Sequence, residues 1–200
     1  IIDLRYNGGG LVRTANLLGD FLGAFANDGR VFSETQFNAD RAAANNSSAF
    51  FERRGNSLNL SRLVVIATRG TASASELITN SLAAYFDVAI VGDNTFGKPV
   101  GQIGLEFCEK ILRPTSFKTV NAAGEGEYFD GLAVDCAAPD DLNFAVGSDA
   151  DPNMIAAMTY LETGACPAAA AARRSLASDA SERRQRDRRG PPQREFADAY

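Results

Sequence analysis

Histidine and tryptophan are both absent from the 200-residue chain. The missing tryptophan decides little. The missing histidine excludes a Ser-His-Asp triad and a Cys-His pair. A zinc site could draw only on cysteine and carboxylates. Acid–base chemistry near neutral pH must therefore fall to Lys, Asp, Glu, Tyr or Cys. Charge of one sign is also scarce. The formal net charge of −5 is too mild to imply nucleic acid or an anionic membrane surface as a partner. No apolar run approaches the ~18 residues of a membrane span. The three cysteines, Cys108, Cys136 and Cys166, form no CxxC motif, which argues against a thioredoxin-like or metal site. Either they are inert or two pair in an oxidising compartment, and their connectivity stays open at this level. Nothing in the pattern calls for a cofactor or a metal.

The hydrophobic fraction of 45% suits one domain with a buried core. The first residues, Ile1-Ile2-Asp3-Leu4-Arg5, already read as a buried strand, with no initiator Met and no charged n-region. The sequence therefore reads as a fragment of a longer protein, with any targeting signal and upstream domain outside it. Tyr6-Asn7-Gly8-Gly9-Gly10 is a turn. A helix follows with Leu11, Ala15, Leu18, Leu22 and Phe25 on one face, and Asn27-Asp28-Gly29 stops it. Residues 31–37 read as a strand. Residues 38–61 are a polar excursion with a short helix expected near Phe50-Phe51.

Residues 63–68 form a β-branched buried strand, 73–86 a helix with Leu77, Ile78, Leu82 and Tyr85 inward, and 88–92 a second buried strand. Residues 100–107 and 111–120 read as paired strands. Residues 152–161 form a helix opened by Pro152 and closed by Thr163-Gly164. Strands alternating with helices predict an α/β fold with a largely parallel sheet flanked by helices. The expected domain spans 1–166. Residues 167–200 read as an Ala/Arg-rich disordered tail, with eight arginines against five acids from Arg173 onward.

Chemistry-bearing residues gather at expected carboxyl ends of strands, where open α/β sheets place their sites. Ser73-Ala74-Ser75-Glu76 is first of all a capping box, a structural device in most helices. The same serine also sits on a sharp strand-to-helix turn. There the helix N-terminus leaves N–H groups free and carries partial positive charge, the donors an oxyanion hole needs. Lys98 lies in Thr95-Phe96-Gly97-Lys98-Pro99. An exposed loop lysine is the commonest fate of that residue, whereas catalysis needs a neutral amine. A P-loop is excluded because GxxxxGK[ST] is absent. The glycine triplet could be a plain βα turn or a phosphate cradle.

Three blocks carry a family resemblance. They are Ile2-Asp3-Leu4-Arg5-Tyr6-Asn7-Gly8-Gly9-Gly10, Thr71-Ala72-Ser73-Ala74-Ser75-Glu76, and Gly92-Asp93-Asn94-Thr95-Phe96-Gly97-Lys98-Pro99-Val100-Gly101-Gln102. In that order, and with Ser73 and Lys98 25 residues apart, they resemble the signature blocks of the C-terminal processing peptidases, the tail-specific serine proteases of family S41. The resemblance covers about residues 1–135. It implies a ClpP/crotonase-like α/β core and a Ser-Lys dyad.

Carried over by position, Ser73 is the nucleophile, Lys98 the general base and Gln102 the residue that orients the lysine. Ser75 is the rival serine, but the family places its nucleophile three residues before the Glu. The N–H groups of Ala74 and Gly9 would form the oxyanion hole. Arg5 would brace the glycine turn, with an ordinary ion pair as the competing role, and Glu76 and Thr95 would give structural support. An acidic residue that some members carry eleven positions after the serine is Ala84 here, with Asp87 nearby.

The resemblance further implies polypeptide substrates, unstructured or C-terminal segments above all. It also implies an upstream PDZ-type domain in the full-length protein and an extracytoplasmic location in the bacterial periplasm or envelope. Two other readings compete: a non-catalytic binding module retaining the fold, and a crotonase-type acyl-CoA enzyme, which needs no Ser-Lys dyad.

Overall fold

A computed structural model describes residues 1–167. The expected tail lies, from residue 168 onward, outside the described residues. In chain order the elements are β1 (Ile2–Asp3), α1 (Val12–Asn27), β2 (Val31–Phe37), α2 (Ala39–Asn45), β3 (Ser47–Phe50), β4 (Arg62–Ala67), α3 (Ala74–Ala83) and β5 (Asp87–Gly92). Then follow β6 (Val100–Gln102), β7 (Leu105–Phe107), β8 (Lys110–Leu112), β9 (Thr115–Val120), β10 (Cys136–Ala137) and α4 (Pro152–Thr163).

Strands β1, β4, β5 and β10 form a parallel sheet in the order β1-β4-β5-β10. Helices cover both of its faces, which is why β4 reads as an unbroken apolar run. Leu63 and Val65 face a core shared with Leu22 of α1 and Leu77, Ile78 and Leu82 of α3. Val64 and Ile66 face the opposite core, shared with Ala156 and Ala157 of α4. The predicted α/β class with a parallel sheet flanked by helices is the observed one. A second sheet, antiparallel and ordered β3-β2-β9-β6, stands beside it and was not foreseen.

Several local expectations are corrected. The short helix of the excursion is α2, capped by the Asn38 side chain on Arg41 N–H. Phe50 instead ends strand β3, and Phe51 is fully buried beyond it. On α1, Phe25 turns outward beneath the guanidinium of Arg53, 4.2 Å from its ring centroid. The buried face shifts towards Gly19 and Gly23. A Cβ at these glycines would lie 2.5 Å from the Phe32 ring and 2.7 Å from the Phe51 ring, so both aromatics pack directly on helix backbone.

The helix opened at the Ser73 turn ends at Ala83, three residues short of the predicted end. The expected strand pair breaks in two: β6 pairs with β9, while β7 and β8 make a separate hairpin. Its turn residues Cys108 and Glu109 have φ of 44° and 61°, the left-handed pair that tight hairpins use. Helix α4 forms as expected, with Pro152 in its first turn, Asp151 as N-cap and Gly164 in the left-handed conformation at its end. Cys136 and Cys166 form a disulfide, and Cys108 is free and exposed.

Candidate active site

Register sets the site. Asp3 pairs with Ile66 and Ala67 with Gly92, so β1, β4 and β5 end at one edge of the parallel sheet. The glycine turn follows β1, the Ser73 turn follows β4 and the Lys98 loop follows β5. Hydrogen bonds stitch these three connections together. Thr71 Oγ1 donates to Leu4 O at 2.7 Å. Ala72 N–H donates to Asn7 O at 3.1 Å, and Phe96 N–H to Thr71 O at 2.9 Å.

Ser73 has φ 55° and ψ −116°. An ordinary N-cap is extended, so this backbone is strained in a way a cap does not require. Strain of this kind gathers at functional sites. Gly9, with φ 98°, passes so close that a Cβ there would lie 2.8 Å from Ala72 O, Ala74 N and Ser73 Cβ. Only glycine meets both demands. Ala74 N–H lies in the first turn of α3, where no intrahelical acceptor exists. Gly9 N–H donates to Asn7 Oδ1 at 3.0 Å.

Ser73, Ala74, Lys98 and Gln102 line a single open cleft with Gly10. Its remaining walls are mostly apolar, from Val12 of α1, Leu77 of α3, Val100 and Gly101 of β6 and Phe117 of β9, with Thr119 of β9 the polar exception. Ser73, Lys98 and Gln102 are each half-buried. Ser75 is buried, and its hydroxyl donates to Asn7 O at 3.1 Å, which commits it to the backbone. Glu76 is fully buried. Its carboxylate accepts from Ser73 N–H at 2.8 Å, Thr95 Oγ1 at 2.6 Å, Gly97 N–H at 2.6 Å and Lys98 N–H at 2.8 Å. Thr95 Oγ1 in turn accepts Leu132 N–H at 2.7 Å, which ties the lysine loop to the segment before β10.

These features meet in one family. The model for Peptidase family S41 matches residues 1–137. The chain belongs to peptidase family S41. It is 30% identical over 135 residues to a Staphylococcus aureus chain named probable CtpA-like serine protease, covering 67% of this chain and 25% of that one. A Staphylococcus epidermidis counterpart of the same name is 25% identical over 135 residues, 67% of this chain and 26% of that one. The chain thus spans about a quarter of the length of the curated relatives it matches.

Among solved structures, the photosystem II D1 C-terminal processing protease superposes with a TM-score of 0.55 at 27% identity, over 76% of this chain and 39% of that one. A Bacteroides fragilis NCTC 9343 protein described as an S41 protease gives 0.65 at 23% identity, over 92% and 44%. The latter likeness concerns the fold alone.

Other predicted positions of this S41 chain fall outside the cleft. Arg5 is buried and does not bond the glycine turn through its side chain. Its guanidinium bonds Asp3 at 2.7 Å and Asp151, the α4 N-cap, at 2.6 Å. The Asp3 bond foremost, opposed by burial and reinforced by Asp151, raises the Arg5 pKa further above its already high value. Burial works against the Asp151 carboxylate, but Arg5 and the N–H groups of Gly147 and Asn153 outweigh it and hold its pKa below the ordinary value. Asp87 bonds Arg62 at 2.5 Å and Tyr160 at 3.2 Å, so it ties the start of β5 to β4 and α4.

Sequence reasoning missed Asn7, which accepts from Ala72 and Ser75 through its carbonyl and from Gly9 through its side chain. Asn before glycine in a turn signals such side-chain-to-backbone bonding. It also missed the apolar walls, which no local motif announces.

Proposed function

We propose that this chain is the catalytic core of a serine endopeptidase that cleaves polypeptides through a Ser73–Lys98 dyad. The observation that carries this reading is the shared cleft. Ser73, on a strained strand-to-helix turn, and Lys98, on the neighbouring loop, line it together in a chain that has no histidine.

In this reading neutral Lys98 takes the Ser73 hydroxyl proton as Oγ attacks the scissile carbonyl. Gln102, on the same wall, orients the lysine. The Ala74 N–H and the glycine turn receive the oxyanion. Recruiting Gly9 N–H exchanges its bond to Asn7 Oδ1 for one to a charged acceptor, which is the stronger of the two. Lys98 returns its proton to the leaving amine, and water then releases the acyl group from Ser73.

Unstructured and C-terminal segments are the proposed substrates, with an upstream PDZ-type domain in the full-length protein to select tails. The similarity to a D1 C-terminal processing protease supports this. An extracytoplasmic site of action is proposed as well. The Cys136–Cys166 disulfide supports it, because such bonds persist in oxidising compartments.

The test uses the full-length protein and an unstructured protein substrate. Hydrolysis should occur and should fall at least ~10³-fold in Ser73→Ala and in Lys98→Ala. Full activity in both variants would reject the dyad. No hydrolysis by the unmodified protein would favour a binding module.

A further inference from the structure

The turn that leads from β1 into the glycines is held by a bond from a distant segment. Leu4, Arg5, Tyr6 and Asn7 form a β-turn, closed by Asn7 N–H donating to Leu4 O at 3.1 Å. Its third residue, Tyr6, has φ 63°, a conformation for which such turns call on glycine or asparagine. A bulky side chain there is an outlier and persists only where its surroundings impose it. Core packing does not impose it, because Tyr6 is 50% exposed. Its hydroxyl reaches instead to Asp140, 2.7 Å from Oδ1 and 2.8 Å from Oδ2. Desolvation foremost, and then this carboxylate, push the phenol up to about 12, so it keeps the proton it donates.

Asp140 is itself fixed. The Arg5 guanidinium lies 3.7 Å from its Oδ1. The residues before it are pinned to β5 and α4. Ala138 N–H donates to Gly92 O at 3.0 Å, and Asn153 Nδ2 donates to Pro139 O at 3.1 Å. None of these bonds involves the disulfide. On the other side of Tyr6, the next residue carries the site. Asn7 O accepts Ala72 N–H and the Ser75 hydroxyl, both at 3.1 Å, and Asn7 Oδ1 accepts Gly9 N–H at 3.0 Å. A movement of Tyr6 therefore passes to the serine turn and to the glycine turn at once.

We infer that Asp140, by holding the Tyr6 hydroxyl, fixes the strained turn at Tyr6 and so sets the Gly9 N–H relative to Ser73. Tyr6 and Asp140 are then positioning residues for the oxyanion step. The inference rests on the acyl-transfer reading above. It adds a partner from outside the signature blocks, since Asp140 lies beyond residues 1–137, the stretch that the family model matches. Donors already in place need no reorganisation as charge develops on the carbonyl oxygen. With Tyr6 held, Gly9 N–H can leave Asn7 Oδ1 for the oxyanion without the turn following it.

The test measures kcat and KM of the full-length protein on an unstructured peptide. Tyr6→Phe removes one oxygen and leaves the ring. It should lower kcat roughly ten-fold while KM stays within about two-fold, because the pair acts on the transition state rather than on substrate binding. Asp140→Ala should do the same. The double variant Tyr6→Phe/Asp140→Ala should fall no more than about two-fold below either single one, since the two residues share one bond. Asp140→Asn keeps an acceptor oxygen but not the charge that faces Arg5, and should stay within about three-fold of the unmodified protein.

A kcat unchanged within about two-fold in Tyr6→Phe, a loss carried by KM, or losses that multiply in the double variant overturn the inference. So does an Asp140→Asn loss equal to that of Asp140→Ala, which would assign the effect to the Arg5 charge. Should the unmodified protein hydrolyse no peptide, the peptidase reading fails. The tie is then judged by hydrogen exchange at Asn7 and Ala72, whose N–H groups close the turn and join it to the serine turn. Tyr6→Phe should speed their exchange roughly ten-fold in folded protein, and rates within about two-fold of the unmodified chain overturn the tie.

Discussion

The Glu76 carboxylate accepts the backbone N–H of Lys98 at 2.8 Å, through the same oxygen that accepts Ser73 N–H at 2.8 Å. One buried atom thus sets the distance between the turn that carries the serine and the loop that carries the lysine. The second oxygen holds Thr95 Oγ1 and Gly97 N–H. A capping box explains the Ser73 bond alone. The other three bonds make Glu76 the clamp between the turns that follow β4 and β5.

Glu76→Gln tests that clamp. An amide replaces one acceptor oxygen with an NH₂ group, so donors would face donors in a buried site. Each stranded donor costs about 1–3 kcal/mol. We expect the melting temperature to fall and peptide hydrolysis to drop on the order of 10²-fold, since small misplacements of reacting groups have effects of that size. Thermal denaturation alongside a hydrolysis assay checks both. Unchanged values in both assays would mean that the four bonds position nothing.

The two serines of the turn should separate cleanly. Ser75→Ala removes a hydroxyl that bonds Asn7 O and leaves the cleft lining intact. A loss of about 1 kcal/mol in stability with most activity kept is expected, against abolition in Ser73→Ala. Denaturant titration and kinetics on both variants read this directly. Abolition in Ser75→Ala with full retention in Ser73→Ala would exchange their roles.

The fold was legible where physics is local. The apolar run of β4 announced a strand covered on both faces, and Pro152 and Gly164 bracketed α4. The blocks around Gly9, Ser73 and Lys98 announced three turns, and parallel pairing of β1, β4 and β5 brought them to one edge. What stayed hidden depends on partners remote in sequence. Phe25 fits the helical stripe of α1 yet turns outward, because Gly19 and Gly23 let Phe32 and Phe51 occupy the helix surface instead. Arg5 reads as a brace for the turn beside it, yet its guanidinium reaches Asp151, 146 residues away. The break between β6 and β7 follows from β9 pairing with both β2 and β6, which no window of sequence contains.

The Arg5–Asp151 pair predicts an acid dependence. Asp151 has a folded-state pKa below its ordinary value of 3.8. Its contribution is therefore present above about pH 4 and is lost as pH falls through the lowered folded value. Asp151→Asn keeps an N-cap acceptor for α4 but removes one of the two carboxylates that bond the buried Arg5 guanidinium, leaving Asp3 as its charged partner. We expect a loss of roughly 1–3 kcal/mol at neutral pH, the scale of one charged hydrogen bond, and a shallower decline of stability below pH 4. Denaturant titrations from pH 2.5 to 7 measure both. An equal acid slope in the variant would remove Asp151 from the account.

The disulfide should separate stability from chemistry. Cys136 lies on β10, at the opposite edge of the parallel sheet from β1, and pairs with Cys166 just beyond α4. The bond closes a loop with a sequence separation of 30. By the loop-entropy relation such a crosslink stabilises by roughly 3–4 kcal/mol. Strand β10 has only two residues, so without the crosslink it and α4 should loosen first. The cleft is lined from α1, α3, β6, β9 and the connections that follow β1, β4 and β5, and no lining residue lies on β10 or α4. Reduction, or Cys166→Ser, should therefore lower the melting temperature substantially. Hydrolysis well below that temperature should stay within about three-fold of the oxidised protein, the scale of a packing change rather than of a lost catalytic group. Thiol titration provides the control: among the three cysteines, Cys108 alone should react in the native oxidised chain, and all three after reduction and unfolding. Loss of hydrolysis in step with reduction, in protein that remains folded, would show that the β10 edge supports the cleft after all.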